Sequence, residues 1–508
     1  MSWRPYTNMK QEIGLNAIAA SDLHGESAPS TTDVSTSTST SSVSDSCSSA
    51  SSPTDLTSPE PELSDAAPYD LIVVGFGPAS LSIAIAILDT LSPESRRSQR
   101  ILFLEKKSEF SWHGGMLLPH ARMQISFIKD FATMRDPTSK FTFMNYLHTK
   151  GRLLDFVNLG TFYPLREEYE DYMRWCADLV QQDAECVVYG ETVVGLSVPE
   201  QEYFTAEKIP HLAVTSVCTY DPAQKAIRLA RNVVLCPGAR PQFPSCFPAE
   251  LTRRIFHSAE FMYKSSELLA LASQSSAAEY AVAVVGAGQS AAEIAQYLHA
   301  NLPLDSHVDM IFPAGALRPS DDSPFVNEIF NPEAVDGIYS LSDDRRRAMF
   351  DEYKSTNYSV VRSDLLETLY AIAYEQKLPG RTTRLGIKNL QIVEDVCVID
   401  KQGAEKVILK LRDQYNSGHI ETAEYDFVIA ATGYDKSAIF TDLLSGLSRY
   451  VPASEVTVDR GYRVKLDENI EARLWVQGCN EATHGLSDTL LSIMAVRGKE
   501  IVDQIFDK

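Results

Sequence analysis

The fold is decided by two glycine-rich stretches of the sequence, Gly75-Phe76-Gly77-Pro78-Ala79-Ser80 and Gly286-Ala287-Gly288-Gln289-Ser290-Ala291. Each follows a continuous apolar run, typical of a buried parallel strand, and precedes a segment of helical periodicity and a second apolar run. The strand, helix and second strand are predicted at 70–74, 80–91 and 101–105 in the first unit, and at 281–285, 290–302 and 308–312 in the second. This order predicts an α/β fold with two Rossmann-like dinucleotide-binding domains.

The first stretch has the residues that a loop for FAD needs. Gly75 permits the tight turn, Gly77 lets the backbone approach the pyrophosphate, and the helix beginning near Pro78 offers free N–H groups. Ser80 takes the place of the third glycine. Glu105, at the end of the second strand, has the spacing of an acid that binds ribose hydroxyls. We therefore predict that these five residues bind FAD.

The second stretch follows the same logic but leaves the phosphate preference open. The residues predicted to contact a nicotinamide nucleotide are Gly286, Gly288, Gln289 and Ser290. The second strand of this unit runs into Phe312 and Pro313, so it ends with neither an acid for a ribose hydroxyl nor a base for a 2'-phosphate. The nearest cation is Arg318, which we predict to contact the nucleotide. NADPH and NADH both stay candidates.

Composition limits what such a chain can do. Two nucleotide sites predict hydride transfer from nicotinamide to flavin. The eight cysteines include no Cys-x-x-Cys pair, so the reduced flavin is expected to pass its electrons to oxygen or to an outside acceptor. No zinc or other metal site is predicted. A formal net charge of -22 argues against nucleic acid and anionic membranes as partners. With no secretory signal and no uninterrupted membrane-spanning run, a cytoplasmic location is expected.

The chain is predicted to divide into a tail and two interleaved domains. Between residues 31 and 60, 19 residues are Ser or Thr, so a tail is predicted to be disordered, either as a phosphorylated regulatory segment or as a passive extension. The strand at 426–434 resembles the strand that ends at Gly238, as if the chain had returned to the first domain. The nicotinamide domain is therefore predicted to be inserted into the FAD domain. The predicted bounds are 1–66 for the tail, 67–242 and 411–508 for the FAD domain, and 243–410 for the NADPH domain with substrate-site segments.

Longer blocks of uncommon residue combinations occur at Phe110–Met116, Met123–Asp130, Phe141–Leu147, Ser320–Glu328, Asn357–Val361 and His484–Ser492. They resemble the fungal L-ornithine N-monooxygenases of siderophore biosynthesis, and the likeness spans residues 69–508. The resemblance implies that NADPH reduces FAD, that O2 is captured as a flavin C4a-hydroperoxide, and that the side-chain amine of L-ornithine is hydroxylated. It also implies retention of NADP+ and a homotetramer.

The same resemblance assigns substrate contacts, each with a structural alternative. Lys129 corresponds to the family's lysine for the substrate carboxylate, and the alternative is an ion pair with Asp130. Asn327 corresponds to an asparagine for the amino-acid head and Asn357 to one near the reacting amine, and both could instead serve turns or caps. An amide suits a neutral amine, because a carboxylate would keep the amine protonated. Two further candidates, for the substrate carboxylate or as caps of the last helix, are Ser487 and Ser492.

The likeness also implies flavin-facing residues and contains one departure. The residues that match the family's flavin and NADP+ wall, with core packing as the alternative, are Trp112, His113, Met116 and Gln124. Pro313 stands where family members carry an arginine for the 2'-phosphate of NADPH. This departure puts a strict NADPH preference in doubt, with Arg318 as a substitute or NADH as a tolerated donor.

Two rival interpretations stay open at this point. The first is a related enzyme of another substrate class, an L-lysine N6-hydroxylase or a Baeyer-Villiger-type monooxygenase, since one methylene in an apolar slot is worth only about 1–3 kcal/mol. The second is a non-enzymatic flavoprotein sensor. The converging lysine and asparagines argue against a sensor.

Overall fold

The computed structural model describes residues 67–199, 208–274, 280–401, 403–416, 418–451 and 456–506. The tail at 1–66 that the sequence predicts to be disordered lies outside these ranges. The strands are β1 (Leu71–Val74), β2 (Ile101–Glu105), β3 (Val187–Tyr189), β4 (Glu191–Ser197), β5 (Leu212–Cys218), β6 (Lys225–Ala230), β7 (Asn232–Leu235), β8 (Arg240–Pro241), β9 (Ile255–His257), β10 (Ala281–Val285), β11 (His307–Ile311), β12 (Leu385–Lys388), β13 (Gln391–Lys401), β14 (Ala404–Asp413), β15 (Ile420–Tyr425), β16 (Phe427–Ala430), β17 (Tyr434–Asp435) and β18 (Arg473–Val476).

The helices are distributed among these strands along the chain. They are α1 (Pro78–Thr90), α2 (Pro93–Arg97), α3 (Phe143–Thr149), α4 (Leu153–Leu159), α5 (Arg166–Ala184), α6 (Phe261–Gln274), α7 (Gln289–Asn301), α8 (Pro324–Asn327), α9 (Ala334–Ser340), α10 (Asp343–Asn357), α11 (Ser363–Glu375), α12 (Ala438–Leu444), α13 (Glu481–His484) and α14 (Met494–Phe506). Within the described ranges, none of them combines the length and the apolar character needed to cross a bilayer.

The first glycine stretch lies in a parallel sheet of order β18-β7-β1-β2-β3. Every residue of β1 is buried, as its continuous apolar run predicts. Leu71 and Val73 face a core formed with α1, α5 and α14. Ile72 and Val74 face the opposite core, which the antiparallel sheet β4-β5-β6 and α12 complete. The strand is therefore covered on both sides, and the glycine loop follows at its carboxyl end.

The second glycine stretch lies in a parallel sheet of order β12-β11-β10-β16-β9. Val282 and Val284 of β10 pack against α6, α7 and α11 on one face. Ala281 and Ala283 pack on the other face, where the antiparallel sheet β13-β14-β15 contributes Val407 and other side chains. The two units therefore repeat the same three layers, and the prediction of two Rossmann-like domains in an α/β fold is confirmed.

The predicted return of the chain to the first domain at residue 411 is wrong. β16 pairs with β10 in parallel, with Val284 opposite Ile429, so it belongs to the second sheet. The chain regains the first sheet only at β18, which pairs with β7. β16 resembles β7 because the two strands hold equivalent positions in their own sheets. Each runs into a glycine with positive φ, Gly238 and Gly433, and then into the two-stranded ribbon β8-β17.

Candidate active site

The first glycine loop leaves the start of α1 open toward a ligand. Gly75 has φ of +86°, and a Cβ there would lie 2.5 Å from the carbonyl oxygen of Cys236, so only glycine fits. Gly77 precedes α1, no side chain caps that helix, and a Cβ on Gly77 would meet nothing within 4 Å. Pro78 begins the helix, and Ser80 is fully buried at the close-packed third position. Free N–H groups beside an open backbone fit a pyrophosphate.

Glu105 is held against this loop. Its carboxylate accepts hydrogen bonds from the backbone N–H of Phe76 at 2.6 Å and of Lys107 at 3.0 Å. The side chain is only 8% exposed. The carboxylate thus sits at the carboxyl ends of β1 and β2, where the predicted FAD ribose would lie.

The second loop has the same glycine geometry in its own sheet. Gly286 has φ of +145°, and a Cβ there would lie 2.4 Å from the carbonyl oxygen of Ala431, which follows β16. Gly288 precedes α7, where again no side chain caps the helix. The closest atom to a Cβ on Gly288 is the Cα of Ser359 at 3.7 Å. Ser290 lies partly exposed in the first turn of α7, so this loop also fits a pyrophosphate, and the segment after Asn357 passes directly over it.

The side chain of Gln289 joins the second loop to other parts of the site. Its Oε1 accepts hydrogen bonds from the backbone N–H of Arg362 at 2.9 Å and from Nε2 of Gln124 at 3.3 Å. Its Nε2 donates to Glu293 at 2.8 Å, and Arg166 of α5 donates two hydrogen bonds of 2.8 Å to the same carboxylate. Gln124, predicted to face the cofactors, therefore lies beside the nicotinamide loop.

The other residues predicted to face the flavin differ in their surroundings. Trp112 and His113 form an edge-to-face pair with ring centroids 5.1 Å apart. His113 is solvent-exposed by surface area, but the protein atoms around its ring desolvate it and lower its pKa to about 4. The side chain of Met116 is 5% exposed and belongs to the core of the second domain, as the core-packing alternative states.

Lys129 lies half-buried beside an acid that it does not pair with. The buried carboxylate of Asp130 accepts backbone N–H bonds from Ala132, Thr133 and Phe143, and a hydroxyl bond from Thr133. Among the described residues, the Lys129 ammonium has no ion-pair or hydrogen-bond partner, so the ion-pair alternative is wrong. Burial lowers the pKa of Lys129. A half-buried cation without a partner is a suitable contact for a substrate carboxylate.

The two predicted asparagines have unequal local roles. Asn327, at the end of α8, donates a 2.9 Å hydrogen bond from Nδ2 to the carbonyl of Asp322, so it does stabilise a turn. Within the described part of the chain, its Oδ1 has no partner. Asn357 is the last residue of α10, and its side-chain amide bonds to no other described group.

Ser487 and Ser492 are buried, and neither hydroxyl has a hydrogen-bond partner among the described residues. Because neither Oγ bonds to a backbone N–H, the capping alternative has no support. The segment between them is fixed by a buried ion pair, in which Arg497 donates to Asp488 at 2.9 Å. Two buried hydroxyls without partners fit an additional polar group at this segment.

One cluster of site residues escaped the sequence interpretation. Lys436 donates to the carboxylate of Glu481 at 2.5 Å, to the hydroxyl of Tyr358 at 2.6 Å and to Thr489 at 3.0 Å. The Tyr358 hydroxyl also donates to Glu481 at 2.6 Å. The cluster connects the neighbour of Asn357 with the segment that carries the two serines. Lys436 and Glu481 belong to no motif, so only the tertiary structure brings them together.

The end of β11 shows the departure at Pro313, which is exposed. Arg318 is also exposed, and its guanidinium has no partner in the described part of the chain. The carbonyl of Arg318 accepts the N–H of Val361 at 2.9 Å, which fixes its backbone beside the segment that covers Gly288. The segment that covers Gly288 also carries a cation, Arg362, but Arg362 already pairs with Asp364 at 3.1 Å. Arg318 is therefore an available cation for a phosphate.

Comparison with known proteins places this geometry in context. Residues 67–436 match the family model described as L-lysine 6-monooxygenase/L-ornithine 5-monooxygenase. An L-ornithine N(5)-monooxygenase of Arthroderma benhamiae is 44% identical over 469 residues, which are 88% of this chain and 90% of the relative. Ornithine hydroxylase (PvdA) from Pseudomonas aeruginosa superimposes with a TM-score of 0.77 at 38% identity, covering 86% of this chain and 99% of that one. The ornithine N-hydroxylase KtzI of Kutzneria sp. 744, solved with reduced FAD, NADP+ and L-ornithine, has a TM-score of 0.76 at 32% identity, covering 86% and 99%.

Proposed function

The chain belongs to the L-lysine 6-monooxygenase/L-ornithine 5-monooxygenase family, and we propose that it is a flavin-dependent L-ornithine N(5)-monooxygenase working at the site described above. L-ornithine, NADPH, O2 and a proton give N5-hydroxy-L-ornithine, NADP+ and water. The product is a hydroxamate precursor, so the reaction is the first step of hydroxamate siderophore biosynthesis. Bound FAD, reduced by NADPH, supplies the activated oxygen.

The half-buried, unpaired ammonium of Lys129 carries the assignment of the substrate site. Lys129 binds the α-carboxylate of ornithine, and the free Oδ1 of Asn327 accepts from its α-amino group. Binding both polar groups at one end fixes where the other end of the substrate reaches. A chain one methylene longer then places its amine differently, which favours ornithine over lysine.

The opposite end of the substrate meets Asn357. The amide oxygen of Asn357 accepts an N–H bond from the neutral side-chain amine and leaves the nitrogen lone pair available. Ser487 and Ser492 contribute hydroxyls to the carboxylate end. The Lys436 and Glu481 pair holds the segments of Asn357 and of these serines in a fixed relation.

Each of the two glycine loops binds a different cofactor. The loop at Gly75, with Glu105, holds FAD in a domain made of β1–β7 and the chain from β18 onward. The loop at Gly286 holds the nicotinamide nucleotide in the domain built around β10, with Arg318 toward a 2'-phosphate. In this proposal, the residues between FAD and the nicotinamide nucleotide are Trp112, His113 and Gln124. We further propose that the protein is a cytoplasmic homotetramer, which light scattering on the purified enzyme tests.

Product analysis tests the activity directly. The purified holoenzyme is supplied with NADPH and either L-ornithine or L-lysine, and hydroxylated amine and hydrogen peroxide are both measured. Hydroxylated ornithine should account for most of the NADPH consumed, with lysine giving mainly peroxide. Peroxide alone with both amines would contradict the proposed function, and equal hydroxylation of both would contradict the substrate assignment.

Replacement of Lys129 tests the substrate site. Lys129→Ala should raise the KM for ornithine about 10- to 100-fold, because a charge-assisted contact worth about 1.5–3 kcal/mol is lost. Reduction of the flavin by NADPH should stay unchanged. The control is Lys150→Ala, since Lys150 is an exposed lysine that pairs with Asp171 at 3.5 Å. Ornithine kinetics that stay the same in the Lys129 variant would remove Lys129 from the site.

A further inference from the structure

A cavity of about 260 Å³ lies in the first domain and is lined by none of the residues of the two glycine loops. It is bounded by the last turns of α1, by α2, by the start of β2 and by the end of α5. The glycine loop stands at the beginning of α1 and at the carboxyl end of β1, and the lining residues Ala84 to Leu88 lie about 10–17 Å from it along the helix. None of the residues assigned to substrate or cofactors lines the cavity.

One part of the cavity wall suits an apolar body. Leu88, Ile101 and Val180 belong to this apolar part, and polar side chains form the rest of the lining. An apolar cavity of roughly 150 Å³ is already large enough to bind benzene. The space in this chain therefore accommodates a ring or a medium-length aliphatic chain.

The polar part of the lining contains two arginines and one acid. Arg96 and Arg97 of α2 border the cavity, and neither guanidinium has a hydrogen-bond or ion-pair partner among the described residues. The acid of the lining, Asp183, is already paired with Lys140 at 2.5 Å. Two unpaired guanidinium groups beside the apolar part of the wall complement an anion attached to an apolar body.

We propose that this cavity binds a free carboxylic acid with an apolar chain or ring, whose carboxylate pairs with Arg96 and Arg97. The apolar part occupies the space between α1, β2 and α5. Guanidinium and carboxylate match in shape, so both oxygens of the ligand find donors at the mouth of the cavity. The proposal is independent of the amine-hydroxylating activity, because the two sites share no residue.

Calorimetric titration of the FAD-loaded enzyme tests the proposal. Octanoate is the probe, and octan-1-ol and octylammonium carry the same chain with a neutral and a cationic head. Octanoate should bind saturably with one site per chain, while the two other probes bind at least about tenfold more weakly. Equal binding of octan-1-ol would overturn the role of the arginines. Absence of octanoate binding would overturn the site itself.

Two variants separate the arginines from the cavity. Arg96→Gln with Arg97→Gln should weaken octanoate binding about tenfold or more. The matched control, Arg345→Gln with Arg347→Gln on exposed positions of α10, removes the same charge and should leave binding unchanged. Ala184→Phe, at an exposed position of the lining, should block binding by filling the mouth. An equal loss in the control would refute a local pairing.

The reactivity of Cys186 shows whether octanoate occupies this cavity, because Cys186 also lines it. Octanoate should slow the alkylation of Cys186, followed by peptide mass spectrometry, at least about tenfold when the site is saturated. The exposed Cys397 on β13 is the internal control and should react at the same rate with and without octanoate. Protection of neither cysteine, with octanoate bound, would place the acid elsewhere and overturn the assignment to this cavity.

Discussion

The two Rossmann-like halves have the same layers, but their glycine loops are held in different ways. The first loop is fixed within its own half, where the carboxylate of Glu105 accepts the N–H of Phe76. The second loop is fixed from outside, because Gln289 bonds to Gln124 of the first half and to Arg362 of the segment that follows Asn357. Arg166 and Glu293 add a buried ion pair between the halves, with side chains 13% and 7% exposed.

The difference matches the roles of the two nucleotides. A cofactor that stays bound through every turnover needs a site that is complete within one domain. A nicotinamide nucleotide must deliver hydride to the flavin, so its loop must keep a fixed position relative to the other half. Bonds from Gln289 to both the flavin-side segment and the substrate segment meet that need. The same bonds connect the nicotinamide loop with the segment that follows Asn357, a proposed substrate residue.

The largest expected effect comes from the glycines that begin the two loops. Gly75→Ala puts a Cβ 2.5 Å from a backbone oxygen at φ of +86°, and Gly286→Ala does the same at 2.4 Å and φ of +145°. Each clash adds to a backbone cost of about 1–3 kcal/mol. Gly75→Ala should yield protein without FAD. Gly286→Ala should retain FAD, but the rate of flavin reduction by NADPH should fall at least 100-fold. Such a fall corresponds to about 3 kcal/mol, the upper end of the backbone cost.

Absorbance at the flavin band and stopped-flow reduction measure these outcomes. The control is Gly238→Ala, because Gly238 has φ of +75° but a Cβ added there would meet no atom within 4 Å. It should cost only about 1 kcal/mol of stability and leave both cofactor sites intact. If Gly286→Ala also lost FAD, the two loops would not be separable and the comparison would fail.

A smaller effect is expected at the ion pair of Arg166 and Glu293, which forms a bridge between the halves. Glu293→Gln leaves Arg166 buried without its charge partner, and breaking such a pair costs about 3 kcal/mol. Flavin reduction by saturating NADPH should slow, while FAD content stays the same, because the nicotinamide loop loses its fixed position. Urea denaturation and stopped-flow reduction provide the two measurements.

The control for this bridge is Glu170→Gln. Glu170 also pairs with an arginine of α5, Arg174 at 2.8 Å, but this pair lies within a single helix of the first half. The substitution should change stability slightly and the reduction rate not at all. A reduction rate that falls equally in both variants would mean that the Arg166 pair supports α5 and has no role in orienting the nucleotide.

Much of this architecture was predictable from local patterns. The apolar runs at 70–74 and 281–285, each followed by glycines and a helical period, are sufficient for β1, α1, β10 and α7. The misplaced β16 shows the limit, because two strands with equal roles in different sheets have similar sequences. Pairing partners are set by tertiary structure, which one strand's own residues do not encode.

The site was predictable to the extent that family blocks contained it. Lys129, Asn357 and the two serines are site candidates on this ground alone, and the family blocks did not predict their surroundings. Asp130 is bonded to backbone amides rather than to Lys129, because four donors around Ala132 and Phe143 already satisfy its carboxylate. Lys436 contacts Glu481 across 45 positions of sequence, so no local pattern could have identified the pair.

The smallest expected effect concerns the residues at the carboxyl ends of β2 and β11. The first unit ends β2 with Glu105, the acid proposed for the ribose, whereas the second ends β11 near Pro313, and the cation proposed for the phosphate, Arg318, lies in the following loop. Arg318→Ala should raise the KM for NADPH about tenfold, since one exposed charge-assisted contact is lost, and leave the KM for NADH unchanged. Pro313→Arg should lower the KM for NADPH by restoring a cation at the strand end. Equal changes for both nucleotides in the Arg318 variant would show that Arg318 does not contact the 2'-phosphate.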